Sequence, residues 1–141
     1  AINFLGFSYI EIGIIRFLRI FNIRHSGNSI FADLGYRGSM DIEQKERLAR
    51  LGDISPEAVH VRLLAARNSI RMKQQDVAVA VGLKKTTFNS QEVRGAPSAK
   101  TMRYFHRQHR IDFNFILHGD FAQLPQDVQE RLFAQLAALT E

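Results

Sequence analysis

Between Gly82 and Gly95 lies a run of mostly polar side chains, Lys84-Lys85-Thr86-Thr87-Phe88-Asn89-Ser90, whose types suit contact with base edges and phosphates. Lys85 can donate to guanine O6 and N7, and Asn89 can pair with adenine N6 and N7. Thr86 offers a hydroxyl together with a methyl group that suits thymine. Lys84, Thr87 and Ser90 are the next candidates, for phosphate or a flanking base. Gln74 stands where a helix is expected to open, and backbone N–H groups at such a point favour a phosphate oxygen. Arg94 completes the candidate set, with Lys73 and Arg71 as further backbone contacts. Each residue also has a plainer reading. Lys84 and Lys85 can be solubility charges, Thr86 a helix cap, Asn89 a solvated surface residue and Gln74 an ordinary first-turn residue.

Other chemistries find little footing. The chain has no cysteine, so disulfides, thiolate metal sites and cysteine nucleophiles are excluded. His106 and His109 are three apart, a spacing that can share one helix face, and His118 follows. Asp112 and Asp120 beside them fit capping and termination roles, so no metal site is read there. No Ser-His-Asp constellation or carboxylate pair stands out, and neither enzymatic activity nor a cofactor is expected.

Charge narrows the partner. The 141 residues carry a formal +5, which favours a polyanion. From His60 to Arg110 there are eleven Lys and Arg against Asp76 and Glu92, a local +9, whereas Ile111 to Glu141 is −4. Nucleic-acid contact therefore belongs to the middle of the chain. Arg103, Arg107 and Arg110 read as a solvated helix face rather than as base readers.

The elements that must position these residues are helical. Asp41 to Leu51 has helix-forming composition, with Gly52 as its stop. Ser55-Pro56-Glu57 combines an N-cap, a proline at the first helical position and an acid in the first turn. The helix it opens runs to about Asn68, with Val59, Leu63 and Ala66 inward and Val61 and Leu64 widening the apolar face. The next helix spans Gln74 to Val81, with Val77, Ala78 and Val81 inward. Gly82 then supplies a left-handed end and Leu83 plugs the turn. A helix from Lys84 or Lys85 to about Val93 follows, with Phe88 inward, ended by Gly95-Ala96-Pro97. Ser98 caps Ala99 to His109, where Met102, Tyr104 and Phe105 are core candidates. Asp112 caps Phe113 to His118, closed by Gly119. Leu124-Pro125 opens a last helix to about Leu139, striped by Leu132, Phe133, Leu136 and Leu139.

Residues 1–39 differ in composition. Ile2 to Arg24 is rich in Ile and Phe but interrupted by Glu11, Arg16, Arg19 and Arg24, unlike a transmembrane helix. It lacks the features of a signal peptide. From Met40 the chain reads like a fresh start, and Gly38-Ser39-Met40 has the look of a cloning scar. Residues 1–39 are therefore read as an appendage or upstream sequence, the alternative being an apolar arm for dimerisation or membrane-surface contact.

Gln74-Gln75-Asp76-Val77-Ala78-Val79-Ala80-Val81-Gly82-Leu83 resembles the second helix and turn of lambda-repressor-like (Cro/CI, XRE-type) helix-turn-helix domains. Glu92, Arg94-Gly95 and Pro97-Ser98 resemble the close of the recognition helix in that family, and Ile111 to Asp120 its fifth helix. The likeness covers about Val59 to Asp120. It departs from the family at Lys73, where Ser or Thr is usual, at the bulkier Phe88, and in the spacing of Gln91 to Pro97. The resemblance implies an all-α, five-helix DNA-binding domain over residues 55–120; the residues outside it add a leader helix and loop at 40–54 and a C-terminal helix at 121–141, which is a possible dimer contact or a cap on its own domain. It further implies a cytoplasmic transcriptional regulator binding double-stranded DNA as a homodimer. The rival reading is a protein-interaction module or antitoxin-type partner using the same helices.

Overall fold

The computed structural model describes residues 40–140, and every regular element among them is an α-helix. The order is α1 Ile42–Ala49, α2 Pro56–Ser69, α3 Gln74–Val81, α4 Lys85–Arg94, α5 Ala99–His109, α6 Phe113–His118 and α7 Gln126–Thr140. The expected appendage or arm at residues 1–39 lies outside the described residues, as does Glu141.

Helix starts follow local chemistry. Asp41 forms a capping box with Gln44 at the head of α1. Ser55 accepts from the Ala58 amide, Ser98 from Thr101 and Asp112 from Phe115. Each cap satisfies a backbone donor that the helix itself cannot. One expected end is displaced. α1 stops at Arg50, not Gly52: Arg50 takes the left-handed conformation, and the amides of Arg50 and Leu51 reach back to the carbonyls of Arg47 and Glu46. Gly52 instead donates its amide to the His118 carbonyl at 2.7 Å, tying the α1–α2 loop to the end of α6.

α2 runs through the middle of the core. It buries Ala58, Val59, Leu63, Ala65 and Ala66, and α4, α6 and above all α7 pack on it. Phe88 from α4, Phe105 from α5, and Phe115 and Ile116 from α6 are fully enclosed. Each such side chain stabilises the fold by about 2 kcal/mol through burial. Met102 and Tyr104, the other core candidates of α5, are only half-buried.

α7 uses its apolar stripe within the same chain. Val128, Leu132, Phe133 and Leu136 are buried, Phe121 meets the Phe133 ring edge-on at 5.0 Å, and Lys45 of α1 lies 5.4 Å from that ring's centre. Leu139, expected in the stripe, stays 39% exposed, and Val128 takes a buried place in it that was not expected.

Arg62 corrects the surface-charge map. Counted above among the basic residues of the middle, it is 1% exposed. Its Nε donates to the Ala58 carbonyl at 3.1 Å and its Nη2 to the Asp53 carbonyl. Burial pushes the guanidinium pKa down, an effect opposed by Asp53 and Asp120. The group joins α2 to the loop after α1, and its Nη1 finds no partner among the described residues.

Candidate nucleic-acid interface

α3 and α4 are joined by a turn of three residues, Gly82-Leu83-Lys84. Gly82 sits at φ 73°, a conformation that costs a glycine little. The Gly82 amide then reaches the Val79 carbonyl at 2.9 Å, and the Leu83 amide reaches Ala78 at 2.8 Å. Lys100 of α5 places its Nζ 3.3 Å from the Gly82 carbonyl, a cation at the negative end of α3. The far end of α4 is fixed by close approach. A Cβ on Gly95 would fall 1.8 Å from the Pro56 carbonyl oxygen, so only glycine allows this end of α4 to rest on the start of α2.

α4 has two faces. Phe88 and Glu92, one turn apart, are buried. Lys85, Thr86, Thr87 and Asn89 are exposed, as is Lys84 at the N-cap, and Ser90 is half-buried. Thr86 does not cap the helix, because Lys84 holds that place and no side chain caps it. Arg94 is exposed at the opposite end, about 13 Å along the axis from Lys85 at the usual helical rise. There it lines a shallow cleft with Arg50, Pro56, His60 and Val93. The structure therefore gathers Lys84 to Asn89 at one end of α4 and sets Arg94 apart.

Gln74 joins the cluster through a network the sequence reading did not anticipate. Its Nε2 donates to Asn89 Oδ1 at 2.9 Å and to Glu92 Oε2 at 2.7 Å. Glu92, 3% exposed, also receives Arg67 Nε at 2.6 Å on Oε1. Arg67 in turn donates through Nη1 to the Met72 carbonyl at 3.3 Å, holding the segment that leads into α3. His60 Nδ1 lies 2.6 Å from the Glu92 carbonyl oxygen. A buried, acceptor-only carboxylate thus ties α2, α3 and α4 together with charge-assisted bonds. One signal for it was present in the sequence: Glu92 is one of two acids in the basic middle and stands four residues after Phe88, on the inward face.

Gln91 makes a second tie. Its Oε1 accepts from the Thr101 hydroxyl at 2.6 Å and the Ser98 amide at 3.0 Å, which fixes the loop between α4 and α5.

The N-termini of α3 and α4 differ from those of α1, α2, α5 and α6. Lysines occupy the N-cap positions, Lys73 and Lys84, and no side chain accepts from the first amides. A cation at the positive end of a helix is locally unfavourable by a few tenths of a kcal/mol, roughly 0.3–1. An anion placed there relieves both the repulsion and the unpartnered amides.

The basic residues sort accordingly. Arg62 is interior, Arg67 is held by Glu92, and Arg110 is paired with Asp127. Arg71, Lys73, Lys84, Lys85, Arg94, Arg103 and Arg107 are exposed, with no acid partner among the described residues. His106 packs on the Phe113 ring, while His109 packs on Tyr104 and approaches its hydroxyl at 3.1 Å, so the two histidines go to different partners. No helix among the described residues is long and apolar enough to cross a membrane. Comparison with protein-family models, with curated proteins and with solved structures finds no match to the chain.

Proposed function

We propose that this chain binds double-stranded DNA in a sequence-specific manner, as a small cytoplasmic transcriptional regulator with a lambda-repressor-like fold in which α3 and α4 form the helix-turn-helix. The observation that carries the reading is the two-faced α4. Its inner side is locked by Phe88 and Glu92, while Lys85, Thr86, Thr87 and Asn89 stand exposed together at its N-terminal end. In a helix-turn-helix that end of the second helix enters the major groove. Lys85 then meets guanine O6 and N7, and Thr86 a thymine methyl. The unpartnered first amides of α3 and α4, with Lys73, Lys84 and Arg71, receive phosphates and fix the register. Gln74 contributes its place at the start of α3, while its amide group is turned inward to Glu92 and Asn89.

A homodimer on a pseudo-palindromic site is the arrangement such a domain uses, because two-fold protein symmetry mirrors the operator. Regulation follows sterically, by occupying a promoter or recruiting polymerase. No catalytic step or cofactor enters this reading.

The test is selection of bound sequences from random double-stranded DNA by the 141-residue chain, followed by a salt titration. The expected result is a two-fold symmetric motif and a log affinity that falls linearly with log salt. Lys85→Ala combined with Asn89→Ala abolishes the sequence preference and leaves the helical circular dichroism unchanged. Absence of both enrichment and salt-dependent binding overturns the proposal and leaves the protein-interaction reading.

A further inference from the structure

We infer that the buried Glu92 carboxylate sets which end of the Asn89 amide faces the DNA, making Asn89 a reader of acceptor edges, guanine first, rather than of adenine. The inference rests on the DNA-binding reading and adds a base preference to it.

The chain of contacts runs outward through three side chains. An ionised carboxylate only accepts hydrogen bonds. Glu92 is 3% exposed and already takes the Arg67 Nε on one oxygen, so the group that meets its Oε2 must be a donor. Gln74 meets it with Nε2 at 2.7 Å. That nitrogen has two hydrogens, and the second points to Asn89, 2.9 Å away. The atom of Asn89 placed there must therefore accept, which assigns it as Oδ1. The opposite orientation would set the Asn89 NH2 against the Gln74 NH2, two donors face to face. The polarity is imposed by the carboxylate and passes to the surface without ambiguity.

The consequence falls on base choice. A side-chain amide reads adenine in bidentate fashion by accepting from N6 and donating to N7. Gln74 takes one of the two lone pairs of the Asn89 oxygen and holds that oxygen towards the start of α3, which leaves the Nδ2 amide, with both hydrogens free, as the group best placed for a ligand. Guanine offers two adjacent acceptors, O6 and N7, in the major groove. Adenine offers N7 beside a donor, which opposes the Asn89 NH2. Gln74 and Glu92 are positioning residues here, and Asn89 is the one that touches the base.

The experiment is sequence selection from random double-stranded DNA by three full-length chains: the unmodified protein, Asn89→Ala and Gln74→Met. Asn89→Ala identifies the base pair that depends on Asn89. At that pair the unmodified protein is expected to prefer guanine over adenine by about tenfold, the size of one good base contact. Gln74→Met removes the donor that holds Asn89, so the amide turns freely and the preference collapses towards parity, while the other positions of the motif keep theirs. Adenine at the Asn89-dependent pair in the unmodified protein overturns the inference, and that result does not depend on Gln74→Met folding. A guanine preference that persists in folded Gln74→Met also overturns it, as does a motif in which no pair depends on Asn89. In each of these cases an enriched motif leaves the DNA-binding reading standing. Failure of the unmodified chain to enrich any motif removes both.

Discussion

Helices α1, α2, α5 and α6 open on an Asp or Ser whose side chain accepts from the helix's own amide, whereas α3 and α4 open on Lys73 and Lys84 with no such bond. The first group satisfies its N-terminal ends internally and packs into a shared apolar core. The second is held by that core at its inner face and leaves its N-terminal ends open and positively charged. The molecule thus forgoes local stability at the starts of α3 and α4. A capping side chain is worth about 1 kcal/mol, and the two adjacent helices without one also carry the exposed polar face of α4. Sites that must meet a ligand commonly break the local rules that the rest of a fold obeys.

The largest effect is expected at Gly95, where α4 rests on α2. Gly95→Val drives a Cβ into the Pro56 carbonyl, from a backbone at φ 57°. Urea denaturation should show a loss of about 4 kcal/mol or more, or no folded protein at all. A mild effect would mean that the α2–α4 contact can yield.

Next in size is Glu92→Ala, which strands the Arg67 guanidinium and frees Gln74. Removing one partner of a buried ion pair costs about 3 kcal/mol, and Arg67, being partly exposed, keeps the loss near the low end of that range. Glu92→Gln should cost less, because it can still accept from Arg67. Equal losses in denaturant midpoint for the two variants would show that the carboxylate charge is not what joins the helices.

The contrast in caps can be sharpened by exchanging it. Lys73→Ser and Lys84→Ser each supply a side-chain acceptor and remove a cation from a helix N-terminus. Each should raise stability by about 1 kcal/mol. On the DNA-binding reading each should also weaken binding and reduce the salt slope by about one. Ser98→Ala, in the scaffold, should lower stability by about 1 kcal/mol and leave the salt slope unchanged. If the serine variants lose stability instead, the ends of α3 and α4 are already satisfied by other means.

The smallest expected effect is a pH dependence in the scaffold. Burial, then the Arg131 charge, hold the His109 pKa below its ordinary value. The unfolded chain therefore takes up this proton first. The stabilising contribution is present above about pH 6.5, the ordinary imidazole value, and is lost as pH falls through the lower folded value. Unfolding free energies measured between about pH 7 and about pH 5 should decline less steeply in His109→Gln than in the unmodified protein. An unchanged slope would assign the decline to carboxylates.

Most of the helical layout was legible because its signals are local. Ser55, Ser98 and Asp112 bond to amides three residues ahead, and Gly82, Gly95 and Gly119 end helices by their own backbone conformation. Such interactions lie within a turn of chain and leave a pattern of residue types. The end of α1 shows the limit: Gly52 looked like the stop, but Arg50 took the left-handed position, while Gly52 was drawn into a bond with His118. The outer residues of α4 were readable only in part: Thr86 falls opposite Phe88 by helical periodicity, whereas Lys85, three residues before Phe88, shares its side and is exposed all the same.

By itself, then, the amino-acid sequence determined that residues 40–140 would be largely helical and where most of those helices begin and end. Tertiary structure alone decided that Arg62 is interior, that Glu92 joins Arg67 to Gln74 and through it to Asn89, and that Val128 rather than Leu139 completes the buried stripe of α7. The physical reason is distance along the chain. Arg67 and Glu92 are 25 residues apart and Gln74 and Asn89 are 15 apart, so their pairing depends on how packed helices cross, and no periodicity within one helix records that.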